Sequence, residues 1–263
     1  MKTAITPTTV APNSTLFHLV MGMPQRCRMP KIGLPFRRNY AMSNGFMQER
    51  LFTPFEDAAL YNRYMIYTEK KFTIPELDGI SKKSVEEHLG LYAGYVKNFN
   101  AISALLPEYA KDSEKHAHAL SELVRRRSFE FGGMRLHEYY FAQFEGGSTS
   151  LTVNGALQKA IEKEYHKSEY LIEMLKAIGN MRGPGWAILY FDPEAKQFLA
   201  GFTGEQHQGH FVTLPIILAL DVWEHAYLLD YGAAGKGKYI DAFFKNLNWS
   251  VIESRYTAAA QLT

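Results

Sequence analysis

The sequence predicts an α+β chain of two parts. Apolar residues recur at helical spacing as far as Gly179, short β-rich runs take over after it, and the turn "DPEAK" divides the first two of those runs. The expected architecture is an N-terminal α-helical hairpin over residues 70–146, then a C-terminal α/β domain over 147–263 with a small three-stranded antiparallel sheet. Residues 1–69 form an N-terminal extension.

The first helix starts at about Ser84, because Val85, Leu89, Tyr92, Val96, Phe99 and Ile102 follow at spacings of three and four. A second is expected from about Ser113 to Phe144, with Ser113 as its cap and Gly132-Gly133 as an interruption. "EGGSTS" reads as a linker, and "ALQKAIEKEYHKSEYLIEMLKAIG" as one third helix stopped by Gly179. "GWAILYFD", "QFLAGFT" and "FVTLPIILAL" are the three strand candidates.

With 263 residues and 46% apolar content, the chain can bury a substantial core. Its single cysteine, Cys27, excludes an internal disulfide framework and favours a reducing compartment. A net charge of +2 without a long basic run gives no nucleic-acid footprint, and no apolar run approaches the ~20 residues of a membrane span. Residues 1–46 contain no Asp or Glu but carry Lys2, Arg26, Arg28, Lys31, Arg37 and Arg38. Three readings of that stretch stand open: an organelle transit peptide, a poorly ordered tail, or sequence upstream of a natural start at Met47. The expected compartment is the cytoplasm, with the mitochondrial matrix as the alternative if residues 1–46 are a transit peptide.

The chemistry concentrates in "LALDVWEHAYLLDYG", where Asp221 and His225 stand four apart directly after the apolar run "LPIILAL". On a helix a carboxylate and an imidazole at that spacing face one point, as metal ligands do. The plain alternative is Asp221 as a cap and His225 as a core histidine. Of the nine histidines, His88, His137 and His225 lie among Leu, Tyr and Trp, whereas His116, His118 and His166 lie in polar helical sequence. Each of the first three alone reads as a core residue; their order, one on each of two helices and then Asp and His after a strand, favours a metal site.

The closing segment "DVWEHAYLLDYG…YIDAFFKNLNWSVIESRY" resembles the C-terminal end of the iron/manganese superoxide dismutase family almost residue for residue. "FGGMRLHEYYF", "GPGWAILYFD" and, in altered form, "ISKKSVEEHLGLYAGYVKNFN" resemble that family's second-helix, first-strand and first-helix motifs, so the likeness spans about 72–256. The resemblance implies His88, His137, Asp221 and His225 as ligands of one manganese or iron ion per chain, with water or hydroxide as a fifth. Three imidazoles and one carboxylate suit a metal alternating between +2 and +3. It further implies Tyr95 as the residue gating the substrate channel, Trp186 and Trp223 as aromatic walls, and Glu224 as the carboxylate reaching His225 of the partner in a homodimer or larger homo-oligomer. The substrate would be superoxide, steered by a positive channel mouth. The side chain bordering the metal's solvent comes, in this family, from the second helix four residues before the ligand or from the sheet domain. Gly133 offers none, so "GEQHQGH" must supply it; His207 aligns best, with Gln206 and Gln208 as rivals. Two other readings stand beside it: a non-catalytic relative serving as a structural subunit of a larger assembly, and a zinc-dependent hydrolase.

The sequence departs from the family in two places. His88 to Tyr95 is seven residues where eight is usual, with Leu91, Tyr92 and Ala93 in place of a histidine pair, and the position after Tyr227 is Leu228 where a tyrosine is usual. Both partners of a cross-subunit His/Tyr contact are therefore missing. At ~100° per residue seven steps leave the two side chains only ~20° apart, which predicts His88 and Tyr95 on one face of an unbroken α-helix. It also places Tyr92 at the subunit interface, against Leu228.

Overall fold

The structure, a computed structural model, describes residues 66–262. The expectations for residues 1–65, the transit-peptide reading among them, lie outside the described residues. From Tyr67 the backbone is already tied to the first helix: Tyr67 and Asn100 exchange two hydrogen bonds, of 3.0 and 2.7 Å, and the Lys70 N–H donates to the Tyr92 hydroxyl.

Helix α1 spans Lys82–Ala110, and Ser81 caps it by accepting from the Ser84 N–H. Ser84, His88, Tyr92, Val96, Phe99, Ile102, Leu106 and Ala110 form its buried stripe, so His88 sits on the face that packs against the second helix. The helix is continuous through His88 and Tyr95, as the seven-residue spacing requires.

Helix α2 spans Ala117–Ala142, starting later than expected and without a side-chain cap; Ser113 lies in the preceding turns. Gly132-Gly133 do not interrupt it. Two glycines cost a helix only ~1 kcal/mol each, and here both sit where another chain segment approaches too closely for a side chain. The expected third helix is two, α3 (Ala156–Tyr165) and α4 (Ser168–Gly179), separated at His166, which adopts φ 66°. The buried positions Leu157, Ile161, Ser168, Leu171 and Leu175 keep helical spacing across the break, and neither Gly nor Pro marks it, so periodicity alone joins the two.

Strands β1 (Trp186–Asp192), β2 (Gln197–Thr203) and β3 (Ile216–Asp221) form an antiparallel sheet in the order β2-β1-β3. Register places Trp186, the first residue of β1, opposite Asp221, the last of β3, and opposite Thr203 at the end of β2. One end of the sheet thus gathers the groups that matter. β3 is an edge strand, and edge strands expose unpaired backbone groups. Gln143, just past α2, covers this one: its amide donates to the Ala219 carbonyl and accepts from the Ala219 N–H, both at 2.9 Å. Arg255 of α7 donates to Gln143, to the Ile217 carbonyl and to the Tyr139 carbonyl. Sheet edge and helix α2 are thereby locked together, which fixes His137 of α2 relative to Asp221 of β3.

A 3₁₀ turn (Glu224–Ala226) and helices α5 (Leu228–Tyr231), α6 (Lys236–Lys245) and α7 (Trp249–Ala259) complete the described chain.

Candidate metal centre

Asp221 and His225 do not share a helix. Asp221 closes β3 and His225 lies in the 3₁₀ turn that folds back from it. The two converge because Asp221 divides its oxygens. Oδ1 accepts the Trp223 N–H at 2.8 Å, a local bond that sets the turn, while Oδ2 faces His225 Nε2 at 3.1 Å. Asp221 thus sets the turn with one oxygen and offers the other to the histidines; it caps no helix, the residue before the 3₁₀ turn being Trp223.

His88 from α1 and His137 from α2 bring their Nε2 atoms to 3.2 and 3.7 Å from the same Oδ2. The four ligand atoms lie within 4.8 Å of one another, and His88, His137 and Asp221 are fully buried. The His137 Nδ1–H donates to the Gly133 carbonyl at 2.7 Å, one helical turn back, which aims Nε2 into the cluster. That Nε2 atom is buried without a hydrogen-bond partner among the described residues. A buried acceptor with its lone pair directed at two other imidazoles and a carboxylate is stabilised by a cation between them.

The electrostatics of His88 and His137 agree. Burial, seconded by the charge near His88, pushes His137 down to about 3, and burial lowers His88 as well, so both imidazoles keep a free lone pair at neutral pH. Burial alone would raise Asp221, but the charge of His225 and hydrogen bonds from His225 and His88 outweigh it and hold the carboxyl below its usual range. For His225 burial works downward, and the Asp221 carboxylate reverses it. Three imidazole nitrogens and one carboxylate oxygen, buried except for the partly exposed His225, are a donor set that suits a transition metal.

Around the cluster, Trp186 packs edge-on to His137 with ring centroids 5.2 Å apart, and Trp223 stacks on His225 at 6.1 Å. The Tyr95 ring lies 5.0 Å from that of His137. Gln206, fully buried, links the two sides: its Nε2 donates to the Tyr95 hydroxyl at 3.0 Å and its Oε1 accepts from Trp186 Nε1 at 2.8 Å. This corrects the expectation for His207, whose ring faces Phe129 at 5.7 Å and whose Nδ1 lies near Glu205, and Gln208 is exposed. His207 follows Gln206 directly in an irregular loop, and alignment by sequence cannot resolve which neighbour turns inward.

Tyr92 is a second correction. It is 1% exposed, hydrogen-bonded to Glu138 and packed edge-on to Phe72, inside the hairpin. One turn after His88 on a regular helix repeats the buried stripe, so Leu91 takes the outer position. Leu91, Leu228 and Leu229 are 43%, 47% and 45% exposed and with Glu87 and His225 line a hollow of about 530 Å³. Glu224 is exposed beside His225.

Comparison with known proteins follows the same lines. Residues 153–255 match the family described as iron/manganese superoxide dismutases, C-terminal domain. Over 192 residues the chain is 33% identical to a protein of Cupriavidus metallidurans named "Superoxide dismutase [Fe]", covering 71% of this chain and 93% of that one. A protein of the same name from Saccharolobus solfataricus is 31% identical over 71% of this chain and 93% of its own length. "Superoxide dismutase [Mn], mitochondrial" of Glossina morsitans morsitans is 32% identical over 68% and 82%.

Proposed function

This chain belongs to the iron/manganese superoxide dismutase family, and from that premise we propose that it converts two superoxide ions and two protons to oxygen and hydrogen peroxide at one metal held by His88, His137, Asp221 and His225. The observation that carries this reading is the convergence of three Nε2 atoms on Asp221 Oδ2 at 3.1 to 3.7 Å, with the His137 nitrogen unpartnered. When bound there, a metal alternating between +2 and +3 supplies the electron taken from one superoxide and returned to the next. Retention of the whole donor set argues against a purely structural subunit, and zinc lacks the redox couple.

The chain's own residues supply orientation and protons. Gln206 donates to Tyr95, so the Tyr95 hydroxyl proton points away from the amide and is held for an incoming anion. Burial, with the Asp221 charge second, pushes the Tyr95 phenol up to about 12, which keeps that proton in place at neutral pH. Trp186 fixes the other end of Gln206, and Trp223 shields His225. Outside Tyr95, Phe129 carries the Arg126 guanidinium 4.0 Å above its ring, and Glu130 pairs with that guanidinium at 2.6 Å.

Gly133 on α2 and a donor supplied from the sheet side favour manganese, although most of the relatives compared carry iron in their names. Protein reconstituted separately with each metal is expected to bind about one ion per chain, with manganese supporting at least as much dismutase activity as iron. An iron-only enzyme would overturn the choice of metal, and absence of both metals and of activity would overturn the function.

The exposed Leu91, Leu228 and Leu229 around His225 support a homodimer through this face, with Glu224 reaching the partner's ligand turn. With the His/Tyr contact replaced by leucines, Glu224→Ala is expected to weaken dimer and activity together by sedimentation and turnover. A fully active monomer would sink this arrangement. No helix among the described residues is long and apolar enough to cross a membrane. The single cysteine supports a reducing compartment, the cytoplasm or, if residues 1–46 are a transit peptide, the mitochondrial matrix.

A further inference from the structure

Gln206 sits in the irregular segment between β2 and β3, yet it is as buried as the ligands and its amide is aimed at both ends. A loop residue held that closely needs an anchor on its backbone. The anchor is visible four residues later. His210 Nε2 lies 3.2 Å from the Gln206 carbonyl oxygen, and His210 Nδ1 lies 2.8 Å from the Tyr190 hydroxyl. A carbonyl oxygen only accepts, so Nε2 carries the proton; in the neutral ring Nδ1 then accepts from the Tyr190 O–H. Tyr190 is buried in the central strand β1, the strand that also begins with Trp186. Backbone and side chain of Gln206 are therefore tied to the same rigid strand, the first through His210 and Tyr190, the second through Trp186. On its other side the Gln206 carbonyl lies against Gly132 of α2.

We propose that His210, oriented by Tyr190, is a positioning residue that sets where the Gln206 amide stands between Tyr95 and the metal centre. The proposal rests on the dismutase reading above. Hydrogen-bond donors bordering a metal tune its potential, and displacement of one by part of an ångström changes that tuning without removing a ligand.

The test uses the metal-loaded enzyme and its midpoint potential, with metal content and activity measured alongside. His210→Ala is expected to keep about one ion per chain but to shift the potential and the visible spectrum of the oxidised form, and to lower kcat several-fold. His210→Gln, whose amide can still reach the Gln206 carbonyl, is expected to restore most of the potential. A merely structural role would lower the melting temperature and leave the potential and spectrum of the folded fraction unchanged, and that result in His210→Ala overturns the proposal. Should His210→Ala fail to fold, Tyr190→Phe decides: it removes only the hydroxyl that orients the imidazole, and an unshifted potential in it overturns the proposal equally. A wild-type protein without a redox metal or dismutase activity would defeat the functional reading itself, an outcome separate from either variant.

Discussion

Replacing His137 with alanine is expected to abolish metal binding and dismutase activity together. The residue is fully buried on α2, its ring held by the Gly133 carbonyl and its Nε2 aimed into the cluster with nothing else to bond. The neighbours do not replace it: Met134, Leu136 and Phe141 offer no comparable donor, the Tyr140 hydroxyl is engaged with that of Tyr239 at 3.1 Å, and the Tyr95 hydroxyl is engaged with Gln206 at 3.0 Å. Loss of a partner that merely orients a ligand costs ~10–100-fold in affinity or activity, so loss of the ligand itself should exceed ~100-fold. The expected result is less than about a tenth of an ion per chain by elemental analysis and turnover at the level of the uncatalysed reaction. Far-ultraviolet circular dichroism should be retained, because the sheet edge remains locked to α2 through Gln143 and Arg255. One ion per chain in this variant would remove His137 from the site.

Gly132→Ala is expected to have the next largest effect, and in the opposite sense to helix propensity. In an ordinary helix interior, Gly to Ala gains ~1 kcal/mol. Here a Cβ at 132 would lie under 3.0 Å from the Gln206 carbonyl oxygen, a backbone atom that yields only if the loop moves. Overpacking of this kind costs ~1–3 kcal/mol, enough to cancel the propensity gain, and it pushes Gln206 off both Trp186 and Tyr95. A misplacement of ~1 Å at such a group can cost ~100-fold in rate. The variant should therefore bind metal normally, melt no higher than the parent, and show activity reduced ~10- to 100-fold. A variant that melts higher with full activity would show that the loop gives way freely and that Gln206 is not held by contact with α2.

The four clustered residues were legible through the family resemblance, whose motifs the fold preserves: His88 on the apolar stripe of α1, His137 one turn after Gly133, Asp221 at the end of an apolar run and His225 four residues on. The helical first half, the three strands and their hairpin turn were legible for the same reason, since period and turn chemistry act within a few residues. Tertiary structure alone decided what depends on distant contacts. Gln206 and not His207 turns inward because Tyr95, Trp186 and the surface left open by Gly132 receive it, from positions remote in the chain. Gln143 has no signal around it, since its partner Ala219 lies 76 residues away. Gly132-Gly133 read as a break from propensity, yet close approach of Gln206 and Tyr95 makes them the residues that let α2 run on. Tyr92 turns inward and not to the interface because a regular helix carries the buried stripe at every third or fourth residue, and only packing against α2 shows which side of α1 is inside. Local chemistry is written in neighbouring residues; which loop residue faces the His/Asp cluster is set by what the rest of the fold leaves room for.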